Sequence, residues 1–177
     1  MGLSRHAPAL VAALALVLAA PAAAGACKNA GASPENATKP ALVRGTLCLL
    51  NAHRARHGLG PLRLNSDLST AARRHSRAMV GKRFFSHTSP DGRTFLDRIK
   101  ATGYLSGARS WNVGENIAYG SGSLSTPRSI TRAWMHSAGH RANILSSEFR
   151  SLGIGIVSGT PVGSDGGTYT TDFGRRS

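Results

Sequence analysis

The last third of the chain carries the pattern that most restricts its fold. Leu152-Gly-Ile-Gly-Ile-Val157 alternates glycine with aliphatic residues, and Thr168 to Phe173 alternates again, with Tyr169, Thr171 and Phe173 on one side. A period of two sends successive side chains to opposite faces of a strand. Gly159 to Gly167 joins the two runs as a loose hairpin. Gly114 to Gly120 reads as a further short strand bracketed by glycines, and Leu62-Arg-Leu64 as a brief extended segment. The remaining patterns are helical. Helices before and between a few antiparallel strands predict an α+β fold with a layered core.

The first helix spans Ala41 to His57, with Leu42, Leu49 and Leu50 on an apolar stripe and Gly58 ending it. His53 and His57 are four apart, a chelating spacing, but histidine at a helix C-terminus also answers the helix dipole. Asn65 or Ser66 caps the second helix, which runs to about Val80 with Asp67 in its first turn. Leu68, Ala72, His75 and Met79 share its inner face, which makes His75 a core histidine or a pocket wall. Phe84 to Gly92 is a loop in which two phenylalanines act as anchors and display Ser86 and His87. Thr94 caps a short helix with Phe95 and Ile99 inward and Gly103 closing it, and Gly107 to Val113 is a loop. Thr126-Pro127 opens a helix that carries Ile130 and Trp134 and ends at Gly139. The stretch Trp134 to Leu145 delivers His140 into a pocket.

The N-terminal residues do not belong to this domain. Arg5, an apolar run from Ala9 to Ala20, and the small residues of Pro21 to Ala26 form a secretory signal peptide over residues 1–26, cut after Ala24 or Ala26. The run is short for a bilayer, and no later segment approaches that length, so a secreted, non-membrane-spanning protein is expected. A lipid anchor on Cys27 would call for a bulky aliphatic residue where Ala24 stands. The chain has only two cysteines, Cys27 and Cys48. In an exported protein they are expected to pair, tying a flexible linker over residues 27–40 to the first helix. Net charge is +14, and loss of the leader removes only Arg5. Such a surface suits an anionic lipid or cell-envelope polyanion. The arginines are scattered and follow no recognised motif, which argues against nucleic acid.

Asn51-x-x-Arg54, Gly58-Leu-Gly-Pro-Leu62, Phe85-Ser-His87, Gly114-Glu-Asn116, Gly139-His140 and Thr171-Asp-Phe-Gly174 occur in that order. Together they resemble the CAP superfamily, which comprises the cysteine-rich secretory, antigen 5 and pathogenesis-related-1 proteins, in its bacterial secreted form. The resemblance covers residues 41–174. It implies an α-β-α sandwich with a small antiparallel sheet between helices, and a monomer with a central cleft. It also implies that His87 and His140 are the two cleft histidines and Glu115 the cleft glutamate. The second glutamate of eukaryotic members falls at Ser137 here, so that carboxylate is missing.

His87, His140 and Glu115 together would suit a divalent ion, zinc first, with an open position for water. The chain has no His-Glu-x-x-His helix. Ser86 and Ser137 each neighbour a cleft histidine and would be the nucleophiles of a serine-type protease or esterase, although Gly-x-Ser-x-Gly is absent. Against a weak hydrolase stand two other expectations: a ligand- or metal-binding extracellular module, and a structural cell-envelope interaction protein whose buried His and Glu satisfy each other.

Overall fold

A computed structural model describes residues 27–177, and the leader assigned to residues 1–26 lies outside them. Five α-helices and four strands follow in the order α1 Lys39–Arg56, β1 Arg63–Leu64, α2 Ser66–Gly81, α3 Phe95–Lys100, β2 Trp111–Gly120, α4 Pro127–His136, α5 Ala138–Leu145, β3 Ser151–Ser158 and β4 Gly167–Arg176, with a 3-10 turn at Gly122–Ser125. The sheet order is β1-β3-β4-β2. The β3–β4 hairpin and the β2–β4 pair are antiparallel, whereas the two-residue β1 adds to β3 in parallel. The sheet is therefore mixed at one edge, and β2 forms the other edge.

Helices cover both faces. On one side α2 lies across β3 and β4, with α3 beside it. The glycines of β3 make that approach possible. A Cβ on Gly153 would stand 2.1 Å from the Leu68 carbonyl carbon, and one on Gly155 would stand 2.3 Å from that of Ala72. The other side holds α1, α4 and α5 over a core of Leu42, Leu50, Ile130, Trp134, Ile154, Tyr169 and Phe173. This is the expected α-β-α sandwich.

Local signals act where they were read. Asn65 caps α2 by accepting from the Asp67 and Leu68 amides, a contact that contributes about 1 kcal/mol. Thr94 and Asp97 form a reciprocal capping box on α3. Gly58 takes a left-handed φ of 68° just past α1. Cys27 and Cys48 form a disulfide. The segment read as a linker lies against the domain. Ala30 is buried with Leu49, its carbonyl accepts from the Arg128 amide, and the Pro34 carbonyl accepts from the Ser158 hydroxyl.

Three readings change. The helix expected to run from Thr126 to Gly139 breaks at Ser137, whose backbone is extended (φ −102°, ψ 124°), and a separate α5 follows. The loop expected to reach Val113 already becomes β2 at Trp111, because the antiparallel partner β4 extends to Arg176. Of the two phenylalanines expected to anchor the 84–92 loop, Phe84 packs edge-on against His75, while Phe85 stays exposed and meets Tyr119 at 4.9 Å.

Two motif residues explain the loop after α1. Asn51 binds Leu62 on both sides, donating to its carbonyl and accepting from its amide. Arg54 is fully buried and donates to the carbonyls of Gly60, Ile144, Ser146 and Phe149. One guanidinium thus ties α1 to the C-terminal end of α5, where free carbonyls collect.

Candidate functional site

The candidate site is built on the β2 edge. Along β2, Gly114 faces α5, Glu115 faces the α2 side, and Asn116 faces α5 again, as the strand period requires. Gly114 leaves room for α5: a Cβ there would lie 3.0 Å from Asn143 Oδ1 and 3.1 Å from Phe149. Asn143 Nδ2 donates to Asn116 Oδ1 (2.8 Å) and to the Glu115 carbonyl (3.2 Å), and Asn116 Nδ2 donates to the His140 carbonyl (3.0 Å). These bonds pin α5 to the strand edge and bring His140 to the cleft.

His87 arrives from the opposite side on a loop whose backbone is held from within. Arg98 Nη1 donates to the His87 carbonyl (2.9 Å), to the Arg93 carbonyl and to Ser89 Oγ. His75 Nε2 donates to the Ser86 carbonyl (2.9 Å). With its loop fixed, His87 Nδ1 donates to Glu115 Oε1 at 2.7 Å, while Arg98 Nη2 donates to Glu115 Oε2 at 2.6 Å. The Glu115 side chain is 1% exposed and that of His87 is 50% exposed. The carboxylate is thus a buried clamp, and the imidazole it orients reaches solvent with Nε2 away from the clamp. The hydrogen bond fixes the His87 tautomer.

The site extends below Glu115. In the β2–β4 register, Glu115 stands opposite Asp172, so both carboxyl groups share one face. Asp172 is completely buried, and neither of its oxygens has a hydrogen-bond partner of good geometry among the described residues. Burial first, and the adjacent Glu115 charge second, raise its carboxyl well above the ordinary aspartate range, against the opposing pull of Arg98. Asp172 is thus a buried carboxyl, shifted toward its neutral form, beside an ion pair. His140 is held below the ordinary histidine value by burial, with the nearby His87 as the lesser cause.

The structure therefore brings His87 and Glu115 into contact and sets His140 beside them. Ser137 sits at the α4–α5 break, where its amide donates to the Trp134 carbonyl, and no hydrogen bond joins it to the other three. Ser86 Oγ accepts from the Thr88 amide, and no hydrogen bond among the described residues joins it to a cleft imidazole. His57 Nδ1 bonds the His53 carbonyl, a helix-end contact that occupies one ring nitrogen of the proposed chelating pair.

The fit to zinc is narrower than the sequence suggested. Among the described residues no group of three His, Cys, Asp or Glu side chains is placed to share an ion. Both Glu115 oxygens are already engaged, and Arg98 puts a positive charge beside them. That carboxylate stands behind His87, which leaves the two imidazoles as the available donors.

Arg98 and Asp172 went unassigned from sequence. Arg98 precedes the inward Ile99 on a six-residue helix and carries no local mark. Asp172 did carry one. It is one of the few acids in a basic chain, and it falls on the strand face opposite Tyr169, Thr171 and Phe173.

With this geometry established, the comparisons agree on the class. Residues 47–172 match the CAP, cysteine-rich secretory protein family, and the chain belongs to that family. It is 40% identical over 109 residues to the uncharacterized protein YkwD of Bacillus subtilis, covering 62% of this chain and 40% of that protein. It is 32% identical over 130 residues to the uncharacterized membrane protein YlbC of the same organism, covering 73% of this chain and 33% of that protein. The crystal structure of an extracellular protein with an SCP domain from Bacillus anthracis matches with a TM-score of 0.59 at 29% identity, covering 77% of this chain and 43% of that one. The chain thus spans less than half the length of each of these relatives. No helix among its described residues is long and apolar enough to cross a membrane.

Proposed function

We propose that this CAP domain is a secreted, monomeric module that binds an extracellular ligand in the cleft between the 85–89 loop, β2 and α5. The observation that carries this reading is the state of His87. Its ring is oriented by a buried carboxylate, yet half its side chain stays open to solvent. Only Nδ1 is engaged by Glu115, and the open side of the ring leaves Nε2 free for a ligand. Beside it lies an exposed aromatic pair: Phe85 is two residues away, and Tyr119 is on the Glu115 face of β2. Imidazole and aromatic surfaces at one mouth suit an organic ligand with both polar and apolar faces. The leader at 1–26, the disulfide and the extracellular Bacillus anthracis neighbour support export. The basic surface supports a lipid or cell-envelope polyanion as the partner.

The test is retention of purified protein on isolated cell envelopes over a salt series, beside a His87→Ala/His140→Ala variant. Retention that survives high salt and is lost in the variant is expected. Equal retention of both proteins that disappears with salt would leave only charge attraction and would sink the cleft as the binding site.

Zinc remains a second reading, favoured by the carboxylate behind His87, an arrangement that commonly supports a metal-binding imidazole. His87 and His140 would hold the ion, and Glu115 would orient His87. Zinc should then raise the melting temperature of the wild type but not of His140→Ala, and an unchanged wild-type melt in millimolar zinc would remove this reading. A hydrolase is less well supported, because no side-chain hydroxyl among the described residues hydrogen-bonds a cleft imidazole. Peptide and ester turnover that the double-alanine variant lacks would restore it.

A further inference from the structure

Trp111 opens β2 at the end of the strand away from Tyr119. It is 46% exposed, whereas Trp134 lies buried in the core. A single exposed apolar side chain is ordinary. This one lines two surface cavities, of about 290 Å³ and about 280 Å³, whose walls share no other residue, so Trp111 is where the two meet. Its backbone is fixed: Arg176 stands opposite in the β2–β4 ladder, and the preceding Ser110 exchanges backbone hydrogen bonds with Ser177. No ring or guanidinium among the described residues stacks on the indole. Arg176 lies over the Tyr104 ring instead, 5.3 Å from its centre.

The first cavity has a mostly polar wall of exposed side chains. Asn112 and Arg175 stand directly opposite each other in the ladder, so they share one face of the sheet. Glu148, from the turn after α5, reaches Arg175 at 3.6 Å. An amide, a carboxylate and a guanidinium therefore gather beside the indole. The second cavity is formed by Lys100 of α3 with Leu105 and Ser106 of the loop that follows.

Charge is balanced on both sides. Arg175 and Glu148 offset each other, and Asp97 lies within electrostatic reach of Lys100 on the same helix. An ion would gain little here. A purely apolar molecule would cover Asn112, Glu148 and Arg175 without replacing their hydrogen bonds to water. The surface suits an uncharged ligand with an apolar face and many hydroxyls. Sugar rings have both: their C–H faces lie flat on an indole, and adjacent hydroxyls match the paired polar atoms of amide, carboxylate and guanidinium groups. Two open cavities meeting at one ring suit successive units of a chain better than one enclosed molecule.

We propose that Trp111 is the stacking platform of a site for a neutral glycan chain. One sugar ring stacks on the indole, and its neighbour along the chain hydrogen-bonds Asn112, Glu148 and Arg175. None of these residues belongs to the His87–His140 cleft, and the site does not depend on the function proposed for that cleft.

Acrylamide quenching of tryptophan fluorescence reads this site directly, because the chain has two tryptophans and Trp134 is buried. The purified protein is titrated with hexasaccharides of β-1,4-linked glucose, N-acetylglucosamine and mannose, and with glucose alone. At least one hexasaccharide should protect Trp111 from quenching, and the protection should persist at high salt, as an uncharged ligand requires. In calorimetric titration with that hexasaccharide, Trp111→Ala should weaken binding about tenfold or more, Trp111→Tyr less, and Asn112→Ala several-fold. Both positions are exposed, so melting temperatures serve as the folding control. The His87→Ala/His140→Ala variant should bind like the wild type. Failure of all three hexasaccharides to protect Trp111 would overturn the proposal. So would binding that vanishes with salt, that Trp111→Ala leaves unchanged, or that glucose alone equals in affinity.

Discussion

Replacing Asp172 by asparagine is the most revealing perturbation of the site. Asp172 is completely buried opposite Glu115, and its carboxyl is raised well above the ordinary aspartate value. In the unfolded chain the same group titrates near its ordinary value of about 3.9. Below that value both states are protonated, and the stability associated with the neutral acid is fully present. As pH rises, the unfolded chain releases a proton that the native protein keeps, and stability is lost until the native pKa is passed. Asparagine is neutral at every pH and similar in shape. It should therefore behave much like wild type at pH 4. Between pH 4 and 8 its stability relative to wild type should grow by up to about 1.4 kcal/mol per pH unit, and then level off once the native pKa is reached. Urea unfolding of both proteins at several pH values measures this difference, and titrations common to both largely cancel. Part of the upward shift comes from the Glu115 charge, so the slope should flatten earlier in a Glu115→Gln background. A difference that stays flat with pH would refute the neutral-acid assignment. So would a variant destabilised by more than about 1.5 kcal/mol at pH 7, the behaviour expected of an ionised, paired aspartate.

Other parts of the fold yield sharper single outcomes. Arg54→Met keeps volume but leaves carbonyls of Gly60, Ile144, Ser146 and Phe149 without their donor, and chemical denaturation should show a loss of at least about 3 kcal/mol. A loss under about 1 kcal/mol would mean that water replaces the guanidinium. Gly155→Ala places a methyl 2.3 Å from the α2 backbone, so it should cost about 1–3 kcal/mol by forcing helix and sheet apart, and a melting temperature equal to wild type would contradict that close approach. Opening the Cys27–Cys48 bridge, which closes a separation of 21 residues, should cost about 3 kcal/mol while leaving the His87–Glu115 contact and any cleft binding intact. Two free thiols in the mass of the purified protein would contradict the pairing itself.

Much of this architecture was legible in the chain because it follows from near-neighbour rules. Period two marked β3 and β4, glycine at position 58 ended α1, Asn65 and Thr94 announced helix starts, and two lone cysteines had only each other to pair with. The ordered motifs also named His87, Glu115 and His140 before any geometry was known. The helix break at Ser137 and the exposure of Phe85 were not legible, because each depends on what the segment packs against.

The sequence by itself determined most of the secondary elements and the family, and it marked His87, Glu115 and His140 as candidates. The elements are set by steric preferences and spacings that act within a few residues, and the candidates follow from the family resemblance of the ordered motifs. Only the tertiary structure decided how those residues are used. The β2–β4 register placed Asp172 against Glu115, α3 brought Arg98 to the same carboxylate, and α2 left His75 Nδ1 facing no partner. Glu115 became a clamp behind His87 because two donors from distant parts of the chain reach its oxygens first. Which polar groups share a low-dielectric space is a property of long-range packing, and no local pattern encodes it.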